Sequence, residues 1–278
     1  MKLAEKLWQY VSLLSIDVVL GAMAGQMFFS RLLRVEVEAS MFLLLGLAVW
    51  SIYTGDHLWD AIQAKELRSP RHRFHASHRK SLSLGLILSI LAGLALAFQT
   101  LGLEKEFIWS LMLGIVIFLT MYLLRKAGRA SGYLKELSTA VFYVLGISWI
   151  PILRADLKDL LGKPLLFLLF FAALAFMNLW MLAIMDQEDD QAQGFPSMAG
   201  LLDSHRLILG VRKFNFFLII IGLAGFILLN SYFRPFASVL LLIALVHYLI
   251  FFRAKISQEE KRKRMEASFL LPWLLLVL

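Results

Sequence analysis

The run MFLLLGLAVWSIYTGDHLWD, residues 41–60, begins with an apolar stretch and ends with two aspartates four residues apart. An apolar stretch of about 20 residues is what an α-helix needs to cross the roughly 30 Å hydrocarbon layer of a bilayer. A helix also satisfies its own backbone hydrogen bonds in lipid. The run therefore predicts a membrane-spanning helix that carries carboxylates at one end.

The composition of the whole chain favours the same class of protein. Of its 278 residues, 60% are hydrophobic and 17% are charged, whereas about a quarter are charged in soluble domains. The chain has no cysteine, which excludes disulfides, thiolate metal sites and cysteine nucleophiles. The N-terminal segment has no obvious cleavage site behind a short apolar region, so it predicts a first membrane helix rather than a removable signal.

Similar apolar runs recur and predict an all-α integral membrane protein with one polytopic domain over residues 1–278. Most of the 28 lysines and arginines lie in alternate loops, and such loops stay on the cytoplasmic side. We therefore expect a cytoplasmic N-terminus, in a bacterial or archaeal cell membrane. The positive charge indicates topology and lipid contact rather than nucleic-acid binding. The predicted spans are 11–30, 39–58, 82–101, 107–124, 133–153, 164–185, 214–230 and 236–252.

The apolar tail at residues 268–278 is too short to span a bilayer. It predicts either a truncated ninth helix or a re-entrant one.

Two acidic pairs occupy matching places on predicted helices two and six. Asp56 and Asp60 form one D-x-x-x-D pair, and Asp186 and Asp190 form the other. At this spacing two carboxylates share one helix face, with Cβ atoms about 5–6 Å apart. A hard cation such as Mg²⁺, completed by phosphate oxygens, relieves their repulsion. Two facing pairs predict a site for two Mg²⁺ ions and a diphosphate; the alternative is that acidic helix ends simply meet water.

The recurrence of this spacing four helices further on suggests an internal duplication, with the site between the repeats. We expect a bundle of about nine transmembrane helices around a central cytoplasm-facing cavity. Its two four-helix repeats are expected at about residues 1–125 and 126–255.

These motifs resemble those of the UbiA-type intramembrane prenyltransferases, which carry N-D-x-x-D-x-x-x-D after helix two and D-x-x-D-x-x-x-D after helix six. Tyr53 and Ala183 stand where the first aspartate of each motif is expected, and Gly194 follows the second motif as it often does in the family. The segment LRSPRHRFH, residues 67–75, looks like a variant of the family's Arg-Pro-rich segment. The segment YLLRKAGRASGYLKE, residues 122–136, resembles its Tyr-x-x-x-Lys signature.

The resemblance implies transfer of an isoprenyl chain from a polyprenyl diphosphate to a small acceptor, aromatic or lipid-like, within membrane lipid. Mg²⁺ would neutralise the leaving diphosphate as a Lewis acid, and arginine or lysine would add charge-assisted hydrogen bonds. The acceptor, the chain length and the oligomeric state do not follow from it. The implied metal ligands are Asp56, Asp60, Asp186 and Asp190, and the substrate-binding candidates are Arg71, His72, Arg73, His75, Tyr122, Arg125 and Lys126.

Three further residues are candidates for catalysis. Asp17 is expected about 10 Å inside the first helix, and an intramembrane carboxylate indicates a functional site by default. It would orient an acceptor hydroxyl or accept its ring proton, or else only hydrogen-bond a neighbouring helix. Lys135 stands beside Glu136 at the start of an apolar helix, where a charge needs a reason. Tyr143 is a candidate to shield a carbocation with its ring face.

The histidines allow other interpretations. His72, His75 and His78 lie at i, i+3 and i+6, a spacing compatible with the metal boxes of membrane oxygenases. With six histidines in the chain the ligand count is small for such an enzyme, so interfacial histidines that pair with lipid or substrate phosphate are favoured. A non-catalytic isoprenoid- or lipid-binding membrane protein of the same fold is the other alternative.

Overall fold

The computed structural model describes residues 2–63, 70–127, 132–187 and 204–277, with the backbone alone at residues 2–5, 125, 127, 132, 133 and 204. Every regular element in these ranges is helical. The elements are α1 (Lys2–Leu13), α2 (Ile16–Leu33), α3 (Ala39–Gln63), α4 (Pro70–Ser77), α5 (Arg79–Leu101), α6 (Lys105–Ala127), α7 (Gly132–Arg154), α8 (Leu157–Leu160), α9 (Lys163–Met185), α10 (Ser204–Leu228), α11 (Arg234–Phe251), α12 (Gln258–Ser268) and a 3-10 segment (Leu271–Leu276).

Eight helices in the described ranges are long and apolar enough to cross a membrane: α2, α3, α5, α6, α7, α9, α10 and α11. Large apolar side chains such as Leu91 and Phe118 stand exposed on α5 and α6. They need no protein partner there, because lipid tails are as apolar as leucine. The prediction of an all-α membrane bundle is confirmed, whereas the ninth span and the internal repeats stay predictions.

The first span differs from the predicted 11–30 at its start. α1 ends at Leu13, Ser15 adopts the left-handed conformation with φ of 56°, and α2 begins at Ile16. A residue with positive φ cannot continue a right-handed helix, so the chain breaks there. Asp17 consequently lies in the first turn of α2 rather than about 10 Å inside the span. A negative charge at this position is favoured by the helix dipole.

Two other spans extend further than predicted. α3 continues to Gln63 rather than ending at residue 58, so Asp56 and Asp60 both lie inside a regular helix. α10 begins at Ser204 rather than at residue 214. In both helices the extension includes charged residues such as Asp60, Arg206 and Lys213, and apolar length alone therefore did not predict it.

The inner wall of the bundle is built around α2 and α9. α2 packs on α3 and α7, α9 packs on α7, α10 and α11, and α6 lies at the periphery against α5 and α7. We call the end that carries the start of α2 and the last turns of α3 and α9 the polar end. The other is the opposite end.

A group of phenylalanine rings fills the half of the bundle nearer the opposite end. The ring centroid of Phe28 lies 5.2 Å from that of Phe236, 5.6 Å from that of Phe171 and 6.3 Å from that of Phe167. All four side chains are buried. We call these residues the aromatic cluster; it closes the bundle core on that side.

The C-terminal part of the described chain packs between α2 and α11. A Cβ atom on Gly21 of α2 would lie 3.2 Å from Cβ of Phe269, so the two chains approach closely there. Trp273 Nε1 donates to the carbonyl of Leu20 at 3.2 Å. The predicted tail thus contains a six-residue 3-10 segment in these residues, which is itself too short to cross a bilayer.

An arginine joins three segments at the opposite end. Arg154 donates to Glu38 Oε2 at 2.7 Å and reaches both carboxylate oxygens of Glu106, at 3.2 and 3.3 Å. The hydrogen bond from Arg154 holds the pKa of Glu38 below its usual value of 4.5. The last turn of α7 is thereby tied to the α2–α3 connection and to the start of α6.

Candidate functional site

The first acidic pair lies on the last turns of α3. Asp56 and Asp60 occupy positions one turn apart in a continuous helix, and both side chains are partly buried. Side chains at this spacing are neighbours on one helix face. Asp56 and Asp60 therefore have the spacing on a regular helix that a paired carboxylate site requires.

The second acidic motif begins where α9 ends. Asp186 is the C-cap residue, and its backbone N–H donates to Leu182 at 2.9 Å. Its carboxylate forms an ion pair with the guanidinium group of Arg262 from α12. Asp190, the other predicted ligand of this pair, lies outside the described residues.

α4 lies between the two acidic motifs. Its His72 is acted on by the charges of Asp186 and Asp56, and also by those of Arg71 and Arg262. Burial, the largest cause, lowers the pKa of His72 below its usual value of 6.5. Because charge interactions weaken with distance, aspartates from helices far apart in sequence lie near the same imidazole.

Arg71 connects α4 with two other elements of the polar end. Its Nη2 donates to the carbonyl of Ser12 at 3.1 Å and to Glu266 Oε2 at 3.4 Å. The side chains of Arg71 and Glu266 are only 12% and 9% exposed. A buried ion pair of this kind loses much stability when one partner is removed, because the remaining charge is left uncompensated.

Asp17 belongs to the same group of side chains. It is fully buried, its Oδ1 accepts from the N–H of Val18 at 3.0 Å, and its buried Oδ2 has no hydrogen-bond partner among the described residues. The charges of Glu266, Arg71, Asp56 and Asp17 all act on the hydroxyl of Tyr53. The charges of three carboxylates and a guanidinium group therefore act on the tyrosine that replaces the first aspartate of the first motif.

The histidines pack together but do not form a ligand set. The rings of His57 and His75 lie 5.1 Å apart, and His75 Nδ1 is hydrogen-bonded to the carbonyl of Arg71 at 2.9 Å. Burial lowers the pKa of His75. His78 is exposed and hydrogen-bonds the carbonyl of Phe74 at 3.0 Å. Among the described residues no group of three or more His, Asp or Glu side chains is arranged to hold a metal ion.

Tyr143 lies deeper in the bundle than the charged side chains. It is partly buried, with its ring centroid 6.0 Å from that of Phe269 and 6.4 Å from that of Phe171. Tyr53 acts on it electrostatically. The aromatic rings of Tyr143 and Phe269 thus lie between the charged group and the aromatic cluster.

Two candidates on α6 are exposed and peripheral. Tyr122 is 47% exposed, and Lys126 Nζ lies 4.9 Å from the centroid of its ring. The side chain of Arg125 lies outside the described part of the chain. The described contacts of Tyr122 and Lys126 therefore give no support to a substrate-binding role, which stays a prediction.

Lys135 and Arg73 are also exposed. On α7 it is Glu136, the neighbour of Lys135, that is buried, with 8% exposure. The buried charge that requires an explanation is thus that of Glu136, because Lys135 is exposed. The catalytic role of Lys135 remains untested.

Two residues of the polar end were missed in the sequence. Arg262 and Glu266 lie in the run QEEKRKRMEAS, whose positive charges in the sequence indicate only topology and lipid contact. A helix signal was present: Ser257 is followed three residues later by Glu260, and the Ser257 side chain accepts from the N–H of Glu260 at 3.2 Å. On that helix, residues four apart share a face.

The donor groups fit a magnesium ion better than they fit a transition metal. Mg²⁺ commonly takes one or two carboxylates and completes its shell with water and substrate phosphate. Asp56 with Asp60, and Asp186 at the end of α9, offer oxygen ligands in partly exposed places. Arg71 and Arg262 lie close by and would bind the anion that such a metal requires.

A membrane bundle of this kind, with carboxylates and guanidinium groups gathered at one end, is suited to a charged head group on an apolar chain. In comparisons with known proteins, a family model described as the UbiA prenyltransferase family matches residues 18–275. The chain belongs to the UbiA prenyltransferase family. In the same comparisons no curated protein and no solved structure matches it.

Proposed function

We propose that this protein transfers an isoprenyl chain from a polyprenyl diphosphate to a small aromatic or lipid-like acceptor, in a reaction that depends on Mg²⁺. Family membership supports prenyl transfer in general. The observation that carries the proposal for this chain is the meeting of Asp56 and Asp186 around His72, with Arg71 and Arg262 beside them.

The diphosphate binds at the polar end. Asp56, Asp60, Asp186 and Asp190 would hold Mg²⁺, which when bound neutralises charge that develops on the leaving phosphate oxygens. Arg71 binds an equatorial or bridging oxygen through its guanidinium fork. These interactions strengthen as the C–O bond breaks, so they accelerate the chemical step rather than only tightening binding.

The apolar chain lies towards the bundle interior. When the allylic C–O bond breaks, its electron pair leaves with the diphosphate and the carbon becomes cationic. The ring of Tyr143, which lies against Phe171 and Phe269, would stabilise the cation through its π electrons. A new bond then forms between this carbon and the acceptor, and the acceptor loses a proton.

Asp17 receives that proton. Its Oδ2 is buried and has no partner in the described part of the chain, so it is available to an acceptor hydroxyl or ring proton. A carboxylate that touches the reacting acceptor is a general base in the ordinary sense. The polar end faces the cytoplasm in this proposal, because the basic loops lie there.

A direct assay tests the proposal. Purified protein in detergent is incubated with radiolabelled geranylgeranyl diphosphate, Mg²⁺ and a panel of aromatic and lipid-like acceptors, and both prenylated product and released diphosphate are measured. Product that requires Mg²⁺ supports the proposal. Since Tyr53 and Ala183 replace two aspartates of the family motifs, tight binding without any release of diphosphate would instead establish a non-catalytic isoprenoid-binding protein.

A further inference from the structure

α12 places two charged side chains against the candidate site. Arg262 forms an ion pair with Asp186, and Glu266, one turn further along the same helix face, lies 3.4 Å from Arg71. One partner in each pair is a residue that the proposed function assigns to Mg²⁺ or to the diphosphate. α12 therefore contributes one charge of each sign, and each is paired with an opposite charge of the site.

Arg262 lies in the interior of this group rather than at its margin. Its charge acts on His57 of α3 and on His72 of α4, and its side chain is 26% exposed. Arg264, two residues along the same helix, is 47% exposed and pairs with Glu260 of its own helix. The two arginines lie on one helix, but Arg262 pairs with a residue of the candidate site and Arg264 does not.

The Arg262–Asp186 pair is one that a substrate complex has to rearrange. The Asp186 carboxylate would hold Mg²⁺ through the same oxygens that now pair with the guanidinium group. A diphosphate bound to that Mg²⁺ brings phosphate oxygens to the same place, and arginine binds phosphate oxygens in the bidentate manner in which it binds carboxylates. The long side chain of Arg262 needs only to turn from one oxyanion to the other.

We propose that Arg262 is a diphosphate-binding residue that exchanges Asp186 for the substrate when a divalent cation occupies the site. Glu266 acts as a positioning residue, because it holds Arg71 next to Asp17 and Tyr53 until phosphate replaces it. This inference rests on the proposed function of the same site. It assigns to α12 a part in substrate binding, beyond packing against α2, α9 and α11.

Binding measurements on the full chain test the exchange. Isothermal titration of the purified protein in detergent gives the affinity for inorganic diphosphate in the presence of Mg²⁺ and, separately, the affinity for Mg²⁺ alone. We expect Arg262→Gln to weaken diphosphate binding by about tenfold to a hundredfold, the range for one charge-assisted hydrogen-bonded pair. We also expect the variant to bind Mg²⁺ alone more tightly, because the competing cation has gone.

Arg264→Gln is the matched control and should change both affinities by less than about twofold, as expected for an exposed ion pair. Arg262→Lys keeps the charge without the fork, and it should fall between the parent and Arg262→Gln. Because it preserves the ion pair, this variant also guards against a loss of folding in Arg262→Gln, and thermal unfolding of each variant is followed in parallel.

Opposite changes in the two affinities support the exchange. If Arg262→Gln strengthens both the diphosphate and the Mg²⁺ affinity, α12 only covers the site. If it changes neither affinity, the ion pair is only structural. Either result overturns the inference while the proposed function stands. A parent protein that binds neither inorganic diphosphate nor geranylgeranyl diphosphate in Mg²⁺ overturns both.

Discussion

Asp60 lies one turn beyond Asp56 on α3 and is the residue whose removal isolates the role of the first acidic pair. We expect Asp60→Asn to lower turnover at least a hundredfold, about 2.7 kcal/mol of transition-state stabilisation. The reason is that phosphate charge grows as the C–O bond breaks. Initial rates of prenyl transfer at saturating Mg²⁺ measure this effect.

Asp156→Asn is the control, because Asp156 pairs with Lys158 at an exposed position outside the polar end. Its rate should equal that of the parent. The thermal unfolding midpoint of Asp60→Asn without Mg²⁺ should be equal to or above that of the parent, since one of two neighbouring negative charges has gone. Full activity in Asp60→Asn would rule out the paired-carboxylate site.

His75 makes the stability of the protein depend on pH. Burial lowers the pKa of this histidine below its usual 6.5, and the charge of Arg71 acts in the same direction, as do His72 and His78. The unfolded chain therefore takes up a proton at a higher pH than the folded chain. Stability that is fully present above pH 6.5 is consequently lost as the pH falls.

We expect the thermal unfolding midpoint of the parent to fall between pH 7 and pH 5, and to fall less steeply in His75→Gln. His205→Gln, at an exposed position on α10, should keep the slope of the parent. Equal slopes in all three proteins would show that His75 is not the group responsible.

The individual residues of the site show where sequence reasoning succeeds. The places of Asp56, Asp60 and Asp186 near the ends of α3 and α9 were predictable because helical spacing and motif order are local properties of the chain, whereas their role as metal ligands stays a prediction. The partner of Asp186 was not, since Arg262 is brought to it only by the packing of α12 against α9. Lys135 and Glu136 illustrate a different limit: the sequence marks a charge within an apolar helix, but only packing decides which neighbour is buried.

At the scale of elements, α10 and α11 approach each other closely at Gly222. A Cβ atom on Gly222 would stand 3.1 Å from Cα and 3.0 Å from Cβ of Leu241. Small residues permit such contacts between membrane helices. We expect Gly222→Ala to destabilise the protein by about 1–3 kcal/mol, because the backbone of α11 has to move.

Gly114→Ala is the matched control on α6. A Cβ atom there meets nothing within 4 Å, and alanine is the better helix former by about 1 kcal/mol. Its thermal unfolding midpoint should therefore equal or exceed that of the parent. A midpoint of Gly222→Ala as high as that of Gly114→Ala would contradict the close packing of α10 on α11.

Helix boundaries were less predictable than helix number. Apolar length determines that a segment crosses the membrane, so eight spans were foreseen. The break at Ser15 depends on one residue with φ of 56°, and no apolar pattern marks it. The first turns of α10, which include His205 and Arg206, become helical by continuing a helix that packing has already stabilised.

For the whole molecule, the absence of cysteine makes topology directly measurable. We expect Ser77→Cys, at the C-terminal end of α4, to be labelled by an impermeant maleimide only in inverted vesicles. Leu103→Cys, in the α5–α6 connection and 72% exposed, should be labelled on intact cells. Labelling of both from the same side would mean that α5 does not cross the membrane, and the cysteine-free parent shows the background.

The aromatic cluster has a consequence for where the product goes. Phe28 lies twelve residues beyond Ile16, which is roughly 18 Å along α2, and the buried rings of Phe167, Phe171 and Phe236 fill the space beyond it. The core of the bundle is thus closed towards the opposite end. In the proposed reaction, a prenylated product would therefore leave between helices, into the leaflet on the side of the polar end.

The protein is reconstituted in vesicles, and acceptor is supplied only to the molecules whose polar end faces outward. We expect product only in the outer leaflet, where an impermeant reagent reaches it at once. Product spread equally over both leaflets within the same time would mean that the core is open beyond the aromatic cluster. If the core is closed there, the product forms in one leaflet only. Its movement to the other leaflet then requires a separate transport step.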